Sequence, residues 1–327
     1  MITPITATFP ALNFPKEVDY PTQEYWAAFS AAAELNYGIL SGEWSLKSEL
    51  YKNQMNTLAQ EIQAIGGNAI NAITLDTIKD LATYTGTGLV MIKDINRGGT
   101  FVSKKAIEID PKTGSLYAVN NGTVFAKLGG GFWVRQYSGA VNVKWFGAVG
   151  DGIVDDRQAF INALNTADSI YAPSGNIFLF DVTGGRSTAP EVVSNKTLVI
   201  DGIIKSNYGQ LKDNAPTLFR VTGDNVSFYG TGSLIGNGVI DDRNMGTSEQ
   251  TPSLIYVTGD NFKLKDVVID TPSRAGILLY DCINANISTT FLGGVKSYTV
   301  GNTAYFGVYG YLGGYHKIYD CVFKENS

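Results

Sequence analysis

Apolar residues in the second half of the chain follow a loose repeat instead of a helical spacing. A large apolar side chain stands three positions after an asparagine in four places, at intervals of 30, 36 and 23 residues. These pairs are Asn195 and Leu198, Asn225 and Phe228, Asn261 and Leu264, and Asn284 and Ile287. The phrase Val221–Asn225 also returns unchanged as Val257–Asn261. Irregular coils of about 20 or more residues, without helices between their strands, predict a mainly β fold, a parallel β-helix whose coils stack.

The block from Lys144 to Leu164 predicts how such a stack begins. Three glycines allow positive φ angles in a tight turn, and Asp155 or Asp156 can accept hydrogen bonds from the free amides of a following helix. The helix has one apolar stripe, which fits a lid over the open end of the stack. The stripe consists of Phe160, Ala163, Leu164 and Ala167. The residues to which we assign a structural role in this motif are Gly150, Asp151, Gly152, Asp155 and Asp156.

Residues 74–143 alternate short apolar runs with turns rich in glycine and asparagine, which predicts a small β module. We expect strands at Val90–Ile92, Phe101–Val102, Leu116–Val119 and Val124–Ala126. No catalytic spacing is visible in this stretch, so we expect it to connect the regions on either side.

Residues 1–73 predict a helical region. Thr22 can cap a helix that runs to about Leu35, and a second helix is expected from about Ser45 to Ile65. Apolar residues of the second helix follow an a/d rhythm over fewer than three heptads. A helical hairpin that packs on itself and a short trimeric stalk both fit this pattern.

Composition and charge narrow the function classes. The chain of 327 residues is 44% hydrophobic and 17% charged, with 37 glycines, as expected of a large folded protein with many turns. Its net charge of −5 gives no basic footprint for nucleic acid. The start of the chain lacks a secretory signal, and no stretch is long and apolar enough for membrane insertion. We therefore expect synthesis in a cytoplasm.

Metal and redox chemistry are not expected. Cys282 and Cys321 fit small core positions, so no disulfide framework is predicted, and the lone His316 falls at an ordinary position of the repeat. One histidine and two scattered cysteines form no zinc-type ligand set. The sequence predicts no metal site and no cofactor.

The Lys144–Leu164 block resembles the opening motif of the pectate-lyase-like right-handed parallel β-helix in the receptor-binding part of many bacteriophage tailspikes. The upstream phrase Trp133–Gly139 resembles the junction that such spikes carry before the β-helix. The resemblance covers about residues 75–327 and is specific for fold but weak for chemistry.

This resemblance implies a domain organisation and partners. Residues 144–327 would form the β-helix with its capping helix, and residues 1–73 would dock on tail or baseplate proteins of the virion. The chain would be a homotrimer, made in the host cytoplasm and carried in the phage tail. Its other partner would be a bacterial surface polysaccharide.

Candidate catalytic residues lie in the longest insertion of the repeat, residues 236–250. Cleavage of a glycosidic bond needs one carboxylic acid to protonate the leaving oxygen and another to act as nucleophile or to activate water. Asp241, Asp242 and Glu249 could supply both, with Arg243 orienting an acidic sugar.

A structural interpretation of this insertion is the alternative. Its phrase Gly236–Asp241 resembles a turn-building rung of polygalacturonase-type hydrolases. A later rung of that family carries an acid where this chain has Ala304, so polygalacturonase chemistry is not supported at the matched position.

Two further surfaces are candidates. Asp270, Arg274 and Asp281 could project from one face as a catalytic group, or they could form ordinary surface ion pairs. Aromatic faces stack on sugars, and the tyrosine-rich end of the chain offers such faces together with hydroxyl groups. The substrate-binding candidates there are Tyr305, Tyr309, Tyr311 and Tyr315. Aromatic stacking within the β-helix or across a trimer contact is the alternative.

The sequence thus predicts a phage tailspike that binds and cuts a bacterial capsule or lipopolysaccharide, by hydrolysis or by lyase elimination. A non-catalytic receptor-binding or tail-anchoring virion protein is the alternative. A secreted pectinase-like enzyme is disfavoured by the missing signal peptide and the helical N-terminal region. Because the last coil stops at Ser327 without a cap, we expect the natural chain to be longer, and catalytic residues beyond Ser327 stay an alternative.

Overall fold

A computed structural model describes residues 73–207, 216–236, 252–272, 275–292 and 306–324. All of them belong to the second of two compact units, Ala72–Ser327. The helical region expected over residues 1–73 lies outside the described residues apart from Ile73, and so does the 236–250 insertion apart from Gly236.

One helix and a five-stranded sheet form the β module. Helix α1 (Ile78–Thr83) begins at a capping box between Thr77 and Asp80. The strands, in spatial order, are β1 (Ile73–Leu75), β2 (Leu89–Ile92), β3 (Gly99–Lys104), β5 (Phe132–Gln136) and β4 (Val124–Ala126). The β1–β2 pair is parallel and the other pairs are antiparallel. Leu81, Val90, Phe101 and Trp133 are central to the module's apolar core.

Several details of the β module differ from the expectation, which also lacked strands β1 and β5. Helix α1 was not foreseen, because six residues are too few for a helical apolar stripe to stand out. The strand expected at Leu116–Val119 is wrong, since this segment forms only a single antiparallel bridge, between Ile109 and Leu116.

The other strands form three sheets. The first sheet contains β6 (Val141–Asn142), β8 (Ser169–Ala172), β11 (Thr197–Ile200), β14 (Ser227–Tyr229), β17 (Lys263–Lys265), β20 (Asn286–Ser288) and β23 (Lys317–Ile318). The second sheet contains β7 (Asp151–Asp155), β9 (Ile177–Phe180), β12 (Ile203–Ser206), β15 (Ser233–Ile235), β18 (Val268–Asp270), β21 (Thr290–Leu292) and β24 (Val322–Lys324). The third sheet contains β10 (Glu191–Val192), β13 (Phe219–Val221), β16 (Ser253–Val257), β19 (Ala275–Ile283) and β22 (Phe306–Gly314).

The order of these strands defines the fold. Consecutive strands of the chain belong to successive sheets, and each strand pairs in parallel with the strand one coil later. The chain therefore winds as a parallel β-helix, which confirms the fold class predicted from the repeat. Short 3-10 helices at Val143–Phe146 and Gly185–Thr188 interrupt the first coils.

The repeated Thr-Gly-Asp-Asn phrase has a physical basis at one corner of the stack. Asn195, Asn225, Asn261 and Asn284 all have φ between 58° and 63°, a left-handed conformation that asparagine tolerates well. The Nδ2 atom of Asn261 donates to Asn225 Oδ1 at 3.1 Å, and Asn225 Nδ2 donates to Asn195 Oδ1 at 3.3 Å. The turn asparagines of three successive coils are therefore hydrogen-bonded along the stack.

The residues before these asparagines bind the next coil as well. Asp224 Oδ1 accepts from Asp260 N at 2.8 Å, and Asp260 Oδ1 accepts from Ile283 N at 2.9 Å. A Cβ atom on Gly259 would lie 2.0 Å from the carbonyl oxygen of Gly223, so this position requires glycine. Close approach of coils therefore explains the Gly-Asp-Asn order.

Helix α2 (Arg157–Thr166) closes the front of the stack. It buries Ala159, Phe160, Ala163 and Leu164, much as its apolar stripe predicts. The ring of Phe160 lies 4.8 Å from that of Phe180, and edge-to-face contacts continue inward from there. The following rings of this line are Phe219, Phe228 and Phe262.

Asp155 and Asp156, the two acids before α2, form different hydrogen bonds. Asp155 accepts from the amide of Arg157 at 3.0 Å, so it acts at the helix start. Asp156 does not cap the helix, because its buried carboxylate accepts instead from the amides of Val149 at 2.6 Å and Gly150 at 3.0 Å. Burial raises the pKa of Asp156, and these hydrogen bonds oppose the rise.

Two arginines join the β module to the first coil. Arg135 is buried, and its guanidinium lies 4.4 Å from the Trp145 ring and 4.5 Å from the Phe101 ring. It donates to the carbonyls of Gly122, Arg97 and Gly98. Burial lowers its pKa to about 10, so it stays charged at neutral pH. Arg97 Nε donates to the carbonyl oxygen of Trp145 at 3.0 Å.

Replacing Asp156 with alanine is expected to lower the free energy of unfolding by about 3 kcal/mol, because two partly buried amides lose their acceptor. The matched control Asp155→Ala removes a more exposed cap and should cost about 1 kcal/mol. Urea unfolding followed by circular dichroism measures both. Equal losses in the two variants would contradict the role given to Asp156.

Candidate functional site

A ligand site on this β-helix must lie on the outside, because inward side chains fill the core. Four successive strands of the second sheet, β12, β15, β18 and β21, end at the same corner of the coils, since they pair in register. The chain segments that follow them, before the third sheet resumes, are residues 207–218, 236–252, 271–274 and 293–305. Of the predicted site residues, Asp241, Asp242, Arg243, Glu249, Arg274 and Tyr305 fall in them and lie outside the described residues.

The third sheet presents a row of polar and aromatic residues on its outer face. Strand pairing brings one residue from each coil into register, and alternation along the strands points these residues away from the core. This outer row consists of Glu191, Arg220, Tyr256, Leu278 and Tyr309. Leu278 is fully buried although it lies on this face, and two tyrosines flank it.

Three tyrosines of this face form a ring-to-ring series, here called the tyrosine ladder. Tyr256 lies 6.1 Å from Tyr280, and Tyr280 stacks on Tyr311 at 5.5 Å with an interplanar angle of 19°. The guanidinium of Arg186 lies 3.7 Å from the Tyr256 ring and extends the series toward the cap. Tyr311, at the other end, is 43% exposed. The ladder can offer ring faces and hydroxyl groups to a ligand that crosses several coils.

An ion pair holds the cap end of the outer row. Arg220 Nη2 lies 2.8 Å from Glu191 Oε2, and Thr222 Oγ1 donates to Glu191 Oε1 at 2.7 Å. Both carboxylate oxygens of Glu191 are therefore fixed by neighbouring coils. The carboxylate is still partly exposed and can accept further hydrogen bonds.

Asp270 lies at the corner from which the long connections leave. It ends β18, and its carbonyl oxygen accepts from the amide of Gly236, the residue that begins the acidic insertion. Its Oδ1 atom is buried and has no hydrogen-bond partner among the residues that the structure describes. Burial raises the pKa of Asp270, and a hydrogen bond from the Thr271 amide only partly opposes this. Such a carboxyl group suits a proton donor.

The expected grouping of Asp270 with Asp281 on one catalytic face is wrong, and Arg274, the third member of the expected trio, lies outside the described residues. Asp281 is exposed near the far end of β19, six residues after the strand begins at Ala275. At about 3.3 Å per residue, the strand carries it about 20 Å from the corner. Paired carboxylates of glycosidases lie about 5–10 Å apart, so Asp270 and Asp281 cannot act as such a pair.

The predicted tyrosines divide into two groups. Tyr309 and Tyr311 both lie on the outer face of β22. Tyr309 belongs to the outer row, and Tyr311 belongs to the tyrosine ladder. Tyr315 is 86% exposed in the turn before β23, where its φ of 63° matches the turn asparagines of earlier coils. The stacking of Tyr311 on Tyr280 fits the alternative of aromatic contacts within the β-helix, and it leaves the Tyr311 ring partly exposed.

Several residues of this face were not foreseen. They are Arg186, Glu191, Arg220, Tyr256 and Tyr280. One signal for two of them was present, because the repeated Val-Thr-Gly-Asp-Asn phrase aligns the preceding residues, Arg220 and Tyr256. The structure places that pair in register on neighbouring strands.

Other chemistry finds little support in the described part of the chain. No group of three or more histidine, cysteine or acidic residues that could hold a metal ion occurs there. Within the same residues, no helix is long and apolar enough to cross a membrane. Cys282 and Cys321 are free thiols. His316 Nδ1 accepts from the amide of Ala285 at 3.2 Å, which fits a structural position in the stack.

No protein-family model matches the chain. Plasmin and fibronectin-binding protein A of Streptococcus pneumoniae is 28% identical over 116 residues, which make up 32% of this chain and 16% of that protein. The tailspike protein of E. coli bacteriophage HK620 is 19% identical with a TM-score of 0.46, and the match covers 64% of this chain and 40% of that one.

A second tailspike structure is also similar. The enzymatically active domain of tailspike protein 2 from bacteriophage CBA120 is 13% identical with a TM-score of 0.44, over 76% of this chain and 46% of that one. The match thus spans less than half the length of each of these three proteins. Two of the three are phage tailspikes.

Replacing Asp270 with asparagine is expected to raise the melting temperature at pH 7. Because folding raises the pKa of this acid, the folded protein loses stability as the pH rises from the pKa of the unfolded state through the pKa of the folded state. Asparagine cannot ionise, so the variant does not lose this stability. The gain should shrink toward pH 4, where the wild-type carboxyl group is increasingly protonated. Thermal unfolding between pH 4 and 8 measures this, with Asp281→Asn as the exposed control. An asparagine variant less stable than wild type at pH 7 would contradict the cost assigned to the buried carboxylate.

Proposed function

We propose that this chain is part of a phage tailspike that binds a bacterial surface polysaccharide along the outer face of its third sheet and cleaves it. The observation that carries the proposal is the tyrosine ladder with Arg186 at its cap end. Rings on neighbouring strands are spaced by about 4.8 Å per coil, so a polymer lying across the coils meets several of them. The resemblance of the opening motif to tailspikes supports the same class.

The proposed reaction is hydrolysis of a glycosidic bond. Asp270 donates its proton to the leaving oxygen as the bond from that oxygen to the anomeric carbon breaks. A water molecule adds to the anomeric carbon, and its proton passes to a second carboxylate. Asp241, Asp242 and Glu249 are the candidates for that carboxylate, since the insertion that carries them begins at Gly236, whose amide donates to the backbone carbonyl oxygen of Asp270. Arg243, Arg274 and Tyr305 would bind the sugar.

The wider setting is part of the same proposal. Residues 1–73 would anchor the chain on tail or baseplate proteins of the virion, and three copies would form the spike. Adhesion without cleavage is the second candidate function. It is favoured by one observation, namely that Asp270 and Asp281, the two predicted catalytic acids in the described part of the chain, lie too far apart to act as a glycosidase pair.

Replacing Tyr311 with alanine is expected to weaken polysaccharide binding about tenfold, because the ladder loses an exposed ring face worth about 1.4 kcal/mol. Tyr229 is the matched control, since it is 44% exposed on the outer face of the first sheet. Retention on immobilised capsule or lipopolysaccharide from a panel of bacteria compares Tyr311→Ala with Tyr229→Ala. Equal retention of the two variants would remove the ladder from the binding site.

Replacing Asp270 with asparagine should lower turnover at least 100-fold, the usual contribution of a general acid, while polysaccharide retention persists. The assay incubates the protein with capsule or lipopolysaccharide and measures new reducing ends and unsaturated sugars. Asp281→Asn is the control, and Asp241→Ala and Asp242→Ala test the insertion in parallel. Unsaturated products would show that the bond is broken by lyase elimination and not by hydrolysis. Binding without any fragments would leave adhesion as the only function.

A further inference from the structure

A cleft of about 410 Å³ lies between the capping helix α2 and the first coil, at the cap end of the third sheet. We call it the cap cleft. Its lining includes Gln158, Ile161, Asn165, Ser187, Glu191 and Arg220. The volume falls within the range of about 300–1,000 Å³ that is common for small-molecule sites. None of the predicted site residues lines it.

The charges that line the cap cleft are paired. Arg220 is bound to Glu191 at 2.8 Å. The Arg157 guanidinium donates to the carbonyl oxygen of Asp181 at 2.7 Å and lies 3.8 Å from the carboxylate of Asp155. Among the described residues that line the cleft, no arginine is therefore left without a partner to attract an anionic ligand. A ligand with a net charge would have to compete with these existing partners.

The remaining lining suits a ligand with many hydroxyl groups. Such a ligand both donates and accepts hydrogen bonds, and the side-chain amides of Gln158 and Asn165 offer both functions. Glu191 adds a carboxylate that Arg220 and Thr222 already hold in place. Ile161, half-buried on the same helix, gives the wall an apolar patch for the C–H face of a sugar ring.

The cap cleft is also continuous with the proposed polysaccharide site. Glu191 and Arg220 line the cleft and at the same time begin the outer row of the third sheet. We infer that the cap cleft is a second subsite, which binds an uncharged sugar unit at one end of the polysaccharide. The class of ligand in this inference rests on the proposed function. The residues that would bind the sugar here are different from those of the tyrosine ladder.

The test uses saturation-transfer NMR on the full chain with single uncharged sugars. The probes are D-glucose, D-galactose, D-mannose, L-rhamnose and N-acetyl-D-glucosamine, with D-glucuronic acid as the charged comparison. Asn165→Trp fills the cleft from an exposed helix position, and Gln158→Ala removes one amide without adding bulk. Unchanged melting temperatures establish that both variants fold. Tyr229→Ala is the control variant, outside both the cleft and the tyrosine ladder.

At least one uncharged sugar is expected to receive saturation from wild type and Tyr229→Ala alike. The signal should fall about tenfold in Asn165→Trp and less in Gln158→Ala. The inference is overturned if no uncharged sugar binds wild type, if Asn165→Trp leaves the signal unchanged, or if glucuronic acid binds the cleft more strongly. The proposed function has its own readout in polysaccharide retention by Tyr311→Ala, so failure of either can be told from failure of the other.

Discussion

Parallel pairing of each coil with the next is the constraint on which the rest of this structure depends. A strand of the β-helix has no partner within its own coil, so its backbone groups are satisfied only when the neighbouring coil arrives in register. That requirement fixes the corners. Gly259 lies against the backbone of Gly223, Asp260 binds Asp224, and Asn261 binds Asn225, so the same three residue types recur in these two successive coils.

The register of the stacked strands also determines which side chains lie next to each other on the outer surface. Residues 22 to 36 positions apart in the sequence become neighbours about 4.8 Å apart on the third sheet, as Arg220, Tyr256 and Leu278 do. A row of this kind is rigid, because its backbone is held on both sides and its inward neighbours are packed. Side chains on such a surface can therefore be preorganised for a long ligand without the loops that most binding sites need.

The fold could be predicted because its signals are local and repeated. The turn asparagines mark the start of four strands, and the stripe on α2 marks its buried face. The site was harder, because it depends on register across coils of unequal length. Asp270 and Asp281 are eleven positions apart in the sequence and looked like neighbours, but the length of β19 separates them. Arg220 and Tyr256 are far apart in the sequence, yet lie side by side.

The junction at Arg135 has a mechanical consequence. Its guanidinium is sandwiched between a ring of the β module and a ring of the first coil, and its donors reach three carbonyls in turns of the β module. The neighbouring Arg97 donates to the carbonyl oxygen of Trp145 in the first coil. Bending one part against the other would therefore separate the Arg135 guanidinium from the Trp145 ring and break the Arg97 hydrogen bond at the same time. A force applied to residues 73–136 is therefore passed to the capped end of the rod through a stiff coupling.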